Sequence, residues 1–461
     1  MVTPAPSRLT VPRIVIAAPA SGHGKTTVAT GIVKALTDRG FTVAPFKVGP
    51  DYIDPGYHSL AAGRTGRNLD PYMVGTERIA PLFAHGAAGA DIAVVEGVMG
   101  LYDGATGEGE LASTAQVAKL LDAPVLFVVD AAAQGRSIAA LVHGFRSFDP
   151  AVRIAGVVLN RVGSEIHRRI LTEALDELGV PVLGALRREA AVAAPSRHLG
   201  LVPVAERRAE AVASVAALGA LVDADTGVQL DEIYRLARSA PPLEAAAWDP
   251  AAEVGRRSGA RPRIAVASGP AFTFSYAENA ELLAAAGAEV CPFDPLHEEK
   301  LPEAVGGLVL GGGFPEVYAP ELAANEALRE NVAEFARLGG AIAAECAGLL
   351  YLGKSLDGLP MCGVVDAEAV MTDRLTLGYR HAVAASESVL AAAGTRVSGH
   401  EFHRTAVSPS AGSPPAWHWR RGGGAVTEGF ASSRIHASYL HLHWAGAPSI
   451  ARRLVESCGV A

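Results

Sequence analysis

The amino-acid sequence predicts an α/β protein with two domains, the first built on a doubly wound parallel sheet. An apolar run at 13–16 leads through a loop of small residues into a helix-like run at 28–36. Further apolar runs then alternate with helical stretches, which is the order expected of a parallel sheet with crossover helices. A new strand at 263–267 and a helix at 278–286 restart the pattern. The sequence therefore predicts a second α/β domain there.

The expected strands of the first domain are short and apolar. Continuous apolar runs are typical of strands that are buried on both faces of a parallel sheet. The expected strands, in chain order, are 13–16, 40–47, 92–95, 123–129, 154–159 and 180–183.

Composition bounds the class of protein. With 461 residues, at roughly 100–200 residues per domain, we expect two to three domains. A hydrophobic fraction of 49% excludes a disordered protein, and a net charge of −8 disfavours a nucleic-acid partner. Four cysteines form neither a disulfide framework nor a paired zinc spacing, which favours a reducing cytoplasm. We see no signal peptide and no membrane-spanning run, so we expect a cytoplasmic protein without a membrane partner.

The domain boundary is marked by turn-forming residues. Helical, Ala-rich stretches end at Pro241-Pro242, and a Pro/Gly/Arg-rich stretch follows at 249–262. Such segments are typical of linkers. We therefore expect a first domain at 1–235, a linker at 236–262 and a second domain at 263–461.

The loop before the first helix has the residues of a phosphate-binding P-loop. Backbone N–H groups and the helix N-terminus attract phosphate, the lysine reaches the outer phosphates, and the threonine after it coordinates Mg²⁺. Pro19 stands where the motif has its first glycine, and a chance Gly-Lys-Thr in a surface loop is the alternative. Because strand, loop and helix are all present, we predict a site for a nucleoside triphosphate. Its residues are Gly22, Gly24, Lys25, Thr26 and Thr27.

Carboxylates follow two strands that should end beside this loop. Asp51 lies in the turn-rich segment 48–56, and Glu96 directly follows the run 92–95. The carboxyl ends of parallel strands meet at one edge of the sheet, where ligands bind in such folds. An acidic residue at a strand end often only begins a loop. After a P-loop, however, we predict a magnesium site formed by Thr26, Asp51 and Glu96.

Three further polar residues are weaker candidates. Arg64 and Arg67 lie in a Gly-rich segment, which fits a solvated turn as well as an anion site. Their nearness to the carboxylate loop favours an anion site. Asn160 follows the fifth expected strand, where a side chain could contact the nucleotide base. A lone asparagine in a turn is the alternative.

The second domain carries a different chemistry. Gly311, Gly312 and Gly313 follow a buried strand, and the backbone N–H groups of such a loop can stabilise an oxyanion. Another apolar strand breaks at Cys346, where small residues begin a helix. This is the pattern of a nucleophile elbow, in which the helix N-terminus lowers the pKa of the thiol. Most cysteines in apolar surroundings are inert core residues, which is the alternative.

A base for this thiol is available near the C-terminus. His441 and His443 alternate with apolar residues and would share one face of a strand. We predict that His441 polarises Cys346 as an ion pair. His443 then stands where a Cys-His-Glu triad has its acid, so the usual orienting carboxylate is expected to be missing.

Together and in this order, the motifs resemble the cobyrinic and hydrogenobyrinic acid a,c-diamide synthase family of corrin-ring biosynthesis. The N-terminal half looks like the dethiobiotin-synthetase type of P-loop domain. The C-terminal half looks like a class I glutamine amidotransferase domain. Ala347 departs from the glycine that often follows the cysteine. The matching stretches, which span nearly the whole chain, lie at 18–27, 47–55, 96–104, 345–346 and 437–441.

The resemblance implies ATP- and glutamine-dependent amidation of the a and c acetate carboxylates of a corrinoid, through an acyl phosphate. ATP, glutamine and the corrinoid would be substrates and Mg²⁺ the cofactor, and a homodimer is left open. By family analogy, the residues that shape the site of carboxylate activation are Asp51, Tyr52, Ile53 and Asp103.

A corrinoid carries many carboxylates and would be repelled by an acidic protein. Arg64, Arg67 and Lys47 are therefore expected to form a local basic rim.

Two rival functions stay open. A cobyric acid synthase shares both domain types but adds four amides rather than two. A positioning-type switch ATPase has a lysine early in its P-loop, where this chain has Ala20, and lacks a glutaminase. Substrates with and without cobalt carry the same carboxylates, so the sequence does not distinguish them.

Overall fold

The computed structural model of the chain describes residues 8–188, 196–197, 200–201, 203–224, 227–255, 259 and 261–458. These residues fall into two units. Unit 1 comprises Met1–Pro71 and Gly75–Trp248, and unit 2 comprises Tyr72–Val74 and Asp249–Ala461. The division falls inside the linker expected at 236–262, of which residues 256–258 and 260 lie outside the described residues.

The described strands of unit 1 are β1 (Arg8–Leu9), β2 (Arg13–Ala17), β3 (Val43–Val48), β4 (Arg67–Leu69), β5 (Ile92–Glu96), β6 (Val125–Asp130), β7 (Ile154–Val162), β8 (Val182–Arg187), β9 (Ser196–Arg197), β10 (Gly200–Leu201) and β11 (Leu243–Glu244). Its described helices are α1 (Lys25–Asp38), α2 (Asp54–Ala62), α3 (Pro71–Val74, which continues into unit 2), α4 (Ile79–Gly86), α5 (Thr114–Leu120), α6 (Ile138–Phe148), α7 (Glu165–Asp176), α8 (Arg208–Asp223) and α9 (Leu230–Arg238). A 3₁₀ turn lies at Thr76–Arg78.

A parallel sheet forms the centre of unit 1. Within the described residues its strand order is β4-β3-β5-β2-β6-β7-β8, and every neighbouring pair is parallel. Strands β2, β3 and β5 are buried along their whole length, which for β5 is what its continuous apolar run predicts. The predicted doubly wound parallel sheet is therefore confirmed. Edge strand β4 was not predicted, because its three residues are too few to show a pattern.

The described strands of unit 2 are β12 (Arg263–Ala267), β13 (Glu289–Phe293), β14 (Val305–Leu310), β15 (Ala341–Glu345), β16 (Ser355–Leu356), β17 (Leu359–Pro360), β18 (Glu368–Ala384), β19 (Arg396–Ser408), β20 (Trp417–Arg421), β21 (Gly424–Glu428), β22 (Phe430–Ala431), β23 (Ile435–Ser438) and β24 (His441–Leu442). Its described helices are α10 (Pro250–Val254), α11 (Ala277–Ala285), α12 (Ala319–Ala324), α13 (Glu326–Arg337), α14 (Ala347–Leu352) and α15 (Ser449–Cys458). Its 3₁₀ turns lie at Pro315–Val317 and Trp444–Gly446.

Two sheets organise the described part of unit 2. The first has the order β13-β12-β14-β15-β23-β22 and is parallel except at the edge pair β22–β23. It confirms the predicted α/β architecture. The second sheet is built on the long antiparallel pair of β18 and β19, with β24 at the edge of β19. It was not predicted. Its strands mix buried and exposed residues without a clean alternation, so no period-2 pattern marks them.

None of the helices in the described ranges is long and apolar enough to cross a membrane. All four cysteines are free thiols, and Cys291, Cys346 and Cys362 are buried. The core of unit 2 gathers apolar side chains from β14, β15 and α14 around Cys346. The cysteine at the predicted elbow is thus enclosed by the central sheet and the helix that follows it.

Candidate functional site

The loop between β2 and α1 turns on two glycines. Gly22 has φ of 83° and Gly24 has φ of 93°, in the left-handed region that favours glycine. A Cβ atom on Gly24 would lie 2.1 Å from Asn160 Nδ2. That amide donates to the carbonyl of His23 at 2.9 Å, and His23 Nδ1 accepts from the N–H of Asp130 at 2.9 Å. The loop backbone is therefore held by residues of β6 and β7.

Lys25 begins α1 and turns its ammonium back toward the loop. The residue is 7% exposed, and Nζ donates to the carbonyls of Ala20 at 3.1 Å and Met99 at 2.5 Å. Burial, and then the neighbouring Lys47 ammonium, lower the pKa of Lys25 to about 8. A cation is thus held inside the curve of the loop, where it can meet phosphate oxygens.

The Thr26 hydroxyl lies between two carboxylates. It donates to Glu96 Oε1 at 2.7 Å and contacts Asp54 Oδ2 at 3.2 Å. The Lys47 ammonium contacts the same two oxygens, at 2.9 Å for Glu96 and 2.6 Å for Asp54. His58 Nε2 lies 2.7 Å from the other oxygen of Glu96. One hydroxyl, two carboxylates, one ammonium and one imidazole therefore form a single cluster beside the P-loop.

Charge in this cluster is balanced by Lys47. Burial raises the pKa of Glu96, but the Lys47 ammonium and hydrogen bonds from His58 and Thr26 hold that pKa well below its usual range. Burial and the nearby carboxylates raise the pKa of Asp54 to about 6, against the opposing effect of Lys47. The two carboxylates also hold the pKa of Lys47 above its ordinary value despite burial. Of the two carboxylates, Asp54 therefore has the higher pKa.

The oxygen atoms of the cluster suit a hard cation. Among the residues that the structure describes, no three or more His, Cys, Asp and Glu side chains form a group that could hold a metal ion. Mg²⁺, however, is usually bound by only one or two carboxylates together with water and phosphate oxygens. Thr26, Asp54 and Glu96 supply such a donor set, so these residues fit Mg²⁺.

The Asp51 carboxylate binds backbone N–H groups of its own loop. Its Oδ1 accepts from the N–H groups of Ile53 at 2.8 Å and Asp54 at 3.0 Å, and so stabilises the start of α2. Asn68 Nδ2 holds the same loop through the carbonyls of Gly49 at 2.8 Å and Asp51 at 2.7 Å. The position beside Thr26 and Glu96 that was predicted for Asp51 is taken by Asp54. The reason is that the carboxylate of Asp51 turns inward to the backbone.

The loop after β5 braces the P-loop. Asp103 Oδ2 accepts from the N–H of Gly100 at 2.9 Å, and the N–H of Leu101 donates to Ala18 at 2.8 Å. A Cβ atom on Gly100 would lie 2.5 Å from the carbonyl oxygen of Pro19. Asp103 thus shapes a loop that packs on the phosphate-binding backbone.

The expected basic rim does not form. The Arg64 guanidinium donates to the carbonyls of Gly86 and Ala88, both at 2.8 Å, at the end of α4. This helix leads into the start of β5, so Arg64 lies toward the amino-terminal edge of the sheet, opposite the P-loop. Arg67 is half-buried as the first residue of β4. Lys47 is buried against carboxylates, so its charge is compensated inside the protein and does not face a substrate.

In unit 2, Cys346 lies at a strained turn between β15 and α14. Its φ of 48° and ψ of −100° are uncommon for a residue with a side chain. The N–H of Cys346 donates to Ser438 at 2.7 Å, and the N–H of Gly348 donates to Gly311 at 3.0 Å. Its Sγ lies 3.8 Å from the carbonyl oxygen of Phe402. Strand β23, the glycine loop and β19 therefore all contribute to the position of the thiol.

The surroundings of the Cys346 thiol shift its pKa in opposite directions. Burial, and then the Glu316 carboxylate, raise the pKa of Cys346, whereas hydrogen bonds from the backbone N–H groups of Ala347 and Gly313 lower it. These two N–H groups come from the start of α14 and from the predicted oxyanion loop. Of the two, the N–H of Gly313 belongs to the loop that was predicted to bind an oxyanion.

His441 is buried at the edge of the second sheet, where its Cα pairs with that of His400 on β19. A Cβ atom on Gly312 would lie 2.4 Å from His441 Cε1, so the glycine loop packs directly on the imidazole. Burial, and then the nearby His400 and His403, lower the pKa of His441 to about 3. The imidazole is therefore neutral at physiological pH, and because the pKa of Cys346 is raised, the predicted ion pair of thiolate and imidazolium is not the resting form.

A buried carboxylate holds the segment between β23 and β24. Glu428 Oε2 accepts from the Ser438 hydroxyl at 2.6 Å, and Oε1 accepts from the N–H of Tyr439 at 2.7 Å. Ser438 Oγ accepts from the N–H of Leu440 at 2.9 Å. Burial raises the pKa of Glu428 to about 8. Because Ser438 also bonds the N–H of Cys346, this segment connects the cysteine with His441.

Known proteins match both halves of the chain. The model of the CobQ/CobB/MinD/ParA nucleotide binding domain matches residues 14–202, and that of the CobB/CobQ-like glutamine amidotransferase domain matches residues 263–449. A hydrogenobyrinate a,c-diamide synthase of Streptomyces coelicolor is 63% identical over 97% of this chain and 98% of its own. The chain belongs to the a,c-diamide synthase family.

Two further a,c-diamide synthases show the spread of the family. A hydrogenobyrinate a,c-diamide synthase of Thermobifida fusca is 53% identical over 97% of this chain and 97% of its own. A cobyrinate a,c-diamide synthase of Dehalococcoides mccartyi is 41% identical over 96% of this chain and 98% of its own. The similarity therefore extends across both units of this a,c-diamide synthase family member.

In this member of the a,c-diamide synthase family, Asp54 was not predicted as a site residue, and Lys47 was predicted to lie in a basic rim rather than among buried carboxylates. For each residue, the sequence contains an indication of its observed position. Lysine inside the apolar strand β3 is expected to be buried, and a buried lysine requires a carboxylate partner. Asp54 precedes Pro55 at the start of a helix, where an acidic side chain is favoured and can also face a neighbouring site.

Proposed function

We propose that this chain is a hydrogenobyrinate a,c-diamide synthase. It amidates the a and c acetate carboxylates of hydrogenobyrinic acid with ATP and glutamine as co-substrates. The proposal is carried by near-full-length similarity. Relatives named for hydrogenobyrinate are 53% to 63% identical, whereas those named for cobyrinate are 41% to 43% identical.

Unit 1 would activate the carboxylate. A carboxylate at neutral pH is a poor electrophile, so ATP first transfers its γ-phosphoryl group to form an acyl phosphate and ADP. The N–H groups of Gly22 and Gly24, the Lys25 ammonium and the start of α1 at Thr27 would bind the phosphates. Asn160 holds this loop in position through its hydrogen bond to the carbonyl of His23.

Thr26, Asp54 and Glu96 would hold Mg²⁺, which when bound offsets negative charge on the phosphates. Lys47 keeps Glu96 ionised and ready as a ligand. Asp51, Tyr52 and Ile53 form the turn that presents Asp54. We infer that this turn also shapes the site for the acetate side chain.

Unit 2 would release ammonia from glutamine. His441 takes the proton of the Cys346 thiol, and the sulfur attacks the carbon of the side-chain amide. The N–H of Gly313, which bonds the Cys346 sulfur, would stabilise the oxyanion, whereas the predicted N–H of Gly312 is already bonded to the carbonyl of Phe274 at 3.1 Å. The imidazolium returns its proton to the leaving nitrogen, so that ammonia and a thioester form. Water then hydrolyses the thioester to glutamate and restores the thiol. Ammonia attacks the acyl phosphate and releases phosphate.

Product analysis tests the function. The chain is incubated with Mg²⁺-ATP, glutamine and either hydrogenobyrinic or cobyrinic acid, and the product masses are measured. We expect two added amides, with a higher kcat/KM for hydrogenobyrinic acid. Four added amides would instead indicate a cobyric acid synthase, and ATP hydrolysis without product would indicate a switch ATPase. A preference for cobyrinic acid would contradict the choice of substrate.

A cysteine variant tests the assignment of the glutaminase. Cys346→Ser should abolish amidation with glutamine and spare amidation with ammonium salts. Cys458→Ser, a matched change in the half-buried helix α15, should retain both activities. Unchanged glutamine-dependent amidation by Cys346→Ser would contradict the assignment.

A further inference from the structure

A buried carboxylate lies beside the residue that replaces the acid of a Cys-His-Glu triad. His443 continues the extended backbone of β24, so its side chain lies on the same face as that of His441. The side chain of His443 is 0% exposed, and its Nε2 lies 3.6 Å from Oε2 of Glu278, which is 2% exposed. Burial of both groups is favourable when they form a pair. A buried carboxylate from another element of unit 2 thus lies beside His443.

The first turn of α11 holds the segment that follows β24. The Tyr276 ring, directly before the helix, stacks on the His443 ring at 4.3 Å with an interplanar angle of 24°. Asn279 Oδ1 accepts from the N–H of Trp444 at 3.0 Å. Trp444 Nε1 in turn donates to Glu345 Oε1 at 3.4 Å, next to the cysteine. The turn that carries Glu278 is therefore connected through Trp444 to the strand that precedes the nucleophile.

The base needs an anion nearby. When His441 accepts the thiol proton, a buried imidazolium forms close to His400 and His403, whose effect on the pKa of His441 is to lower it. A buried cation without a compensating negative charge is unfavourable. A carboxylate close to His441 would lower the free energy of the imidazolium and would hold the ring in orientation.

Other carboxylates of unit 2 are poorly suited to this role. Burial raises the pKa of Glu345 and of Glu428 to about 8, so both are mainly uncharged at neutral pH. Glu401 is ionised, but its charge is balanced by the Arg380 guanidinium at 2.5 Å. Glu316 acts on the Cys346 thiol, whose pKa it raises, and Glu278 is the carboxylate that pairs with the residue continuing the strand of the base.

We propose that Glu278, acting through His443, is a positioning residue that orients His441 and stabilises its imidazolium. The inference rests on the proposed glutaminase roles of Cys346 and His441. A proton on His443 Nε2 faces Glu278, which leaves Nδ1 of the same ring as an acceptor. The two residues together would replace the single glutamate of a Cys-His-Glu triad.

The isosteric variant Glu278→Gln tests this role in the full chain. We expect kcat for glutamine hydrolysis to fall by about 10²-fold, in the range of general acid–base effects, with little change in the KM for glutamine. The ascending limb of kcat/KM against pH should move to lower pH, because loss of the negative charge lowers the pKa of the His441 imidazolium. Ammonia-dependent amidation should stay at the wild-type rate.

Two further variants make the test specific. Glu278→Asp keeps the charge and should retain more activity than Glu278→Gln. Glu330→Gln, an equal change on the exposed face of α13, should leave kcat and the pH profile unchanged.

The outcomes separate this inference from the proposed function. An unaltered kcat and pH profile in Glu278→Gln, with Cys346→Ser inactive toward glutamine, would overturn the role of Glu278 alone. An equal loss of ammonia-dependent amidation would also overturn it, since that result indicates general structural damage. Full glutaminase activity in Cys346→Ser would overturn both.

Discussion

The ammonium of Lys47 lies 2.6 Å from Asp54 Oδ2, and the two side chains are 4% and 13% exposed. The same ammonium is 2.9 Å from Glu96 Oε1. A single buried cation therefore compensates two carboxylates that also contact the P-loop threonine. Loss of one member leaves the others uncompensated, which is strongly unfavourable for buried charges.

Replacement of Asp54 should impair the activating unit. Asp54→Asn removes one oxygen donor of the proposed Mg²⁺ site and one partner of Lys47. We expect ammonia-dependent amidation to fall by about 10²-fold and to require more Mg²⁺, as for other changes around metal sites. The rate is measured against Mg²⁺ concentration.

Asp51→Asn is the matched comparison for that experiment. Because Asp51 stabilises the start of α2, this variant should lower the free energy of unfolding by about 1 kcal/mol or less, since asparagine also caps helices. The Mg²⁺ requirement should change less than in Asp54→Asn. The opposite order would restore Asp51 as the metal ligand.

ATP affinity should decrease as pH rises above about 8. The pKa of Lys25 is lowered to about 8 by burial and by Lys47, so its ammonium is charged below that pH and neutral above it. Only the charged form attracts phosphate, and bound phosphate will move the transition somewhat higher. Calorimetric Kd values over alkaline pH measure the effect.

Lys25→Arg provides the control for this pH dependence. Arginine keeps its charge at all accessible pH values, so the Kd of the variant should be independent of alkaline pH even if it is weaker. A wild-type Kd that does not change above pH 8 would contradict the prediction.

Gly312→Ala should inactivate the glutaminase. The added Cβ atom would lie 2.4 Å from His441 Cε1 and 3.0 Å from Phe274 Cβ, so the base must shift. We expect loss of glutamine-dependent amidation by at least about 10²-fold, the usual contribution of a positioned base, and retention of the ammonia-dependent rate.

Gly424→Ala is the matched control. Its Cβ atom would meet only ordinary contact, at 3.6 Å from the carbonyl oxygen of Arg421, and its backbone needs no glycine. Wild-type activity of both variants would show that the glycine loop does not constrain His441.

Removal of the Glu428 carboxylate should destabilise unit 2. Glu428→Ala leaves the Ser438 hydroxyl and the N–H of Tyr439 buried without their acceptor, at about 1–3 kcal/mol for each group. We expect a lower Tm and weaker glutaminase activity, since Ser438 bonds the N–H of Cys346 and His441 directly follows this segment. Thermal unfolding is compared with that of Glu330→Ala, whose exposed position should leave Tm unchanged. Equal Tm values would rule out this role.

Much of the fold and of the site was predictable from contiguous residues. The strand, glycine turns and helix around Lys25 are encoded within one short stretch, because φ preferences and apolar runs act locally. The strained turn at Cys346 is encoded in the same way by an apolar strand and small residues. These features were therefore predicted at the correct positions, as were the parallel sheet of unit 1 and the α/β class of unit 2.

The partners of these residues were decided by the folded chain. Asp54, rather than Asp51, contacts Thr26 because a backbone turn consumes the first carboxylate. Glu278 lies beside His443 because α11 packs against the turn Trp444–Gly446 that follows His443, although the two residues are far apart in sequence. Such pairs depend on strand register and helix placement, which arise from the packing of the whole core. No local pattern in the chain encodes them.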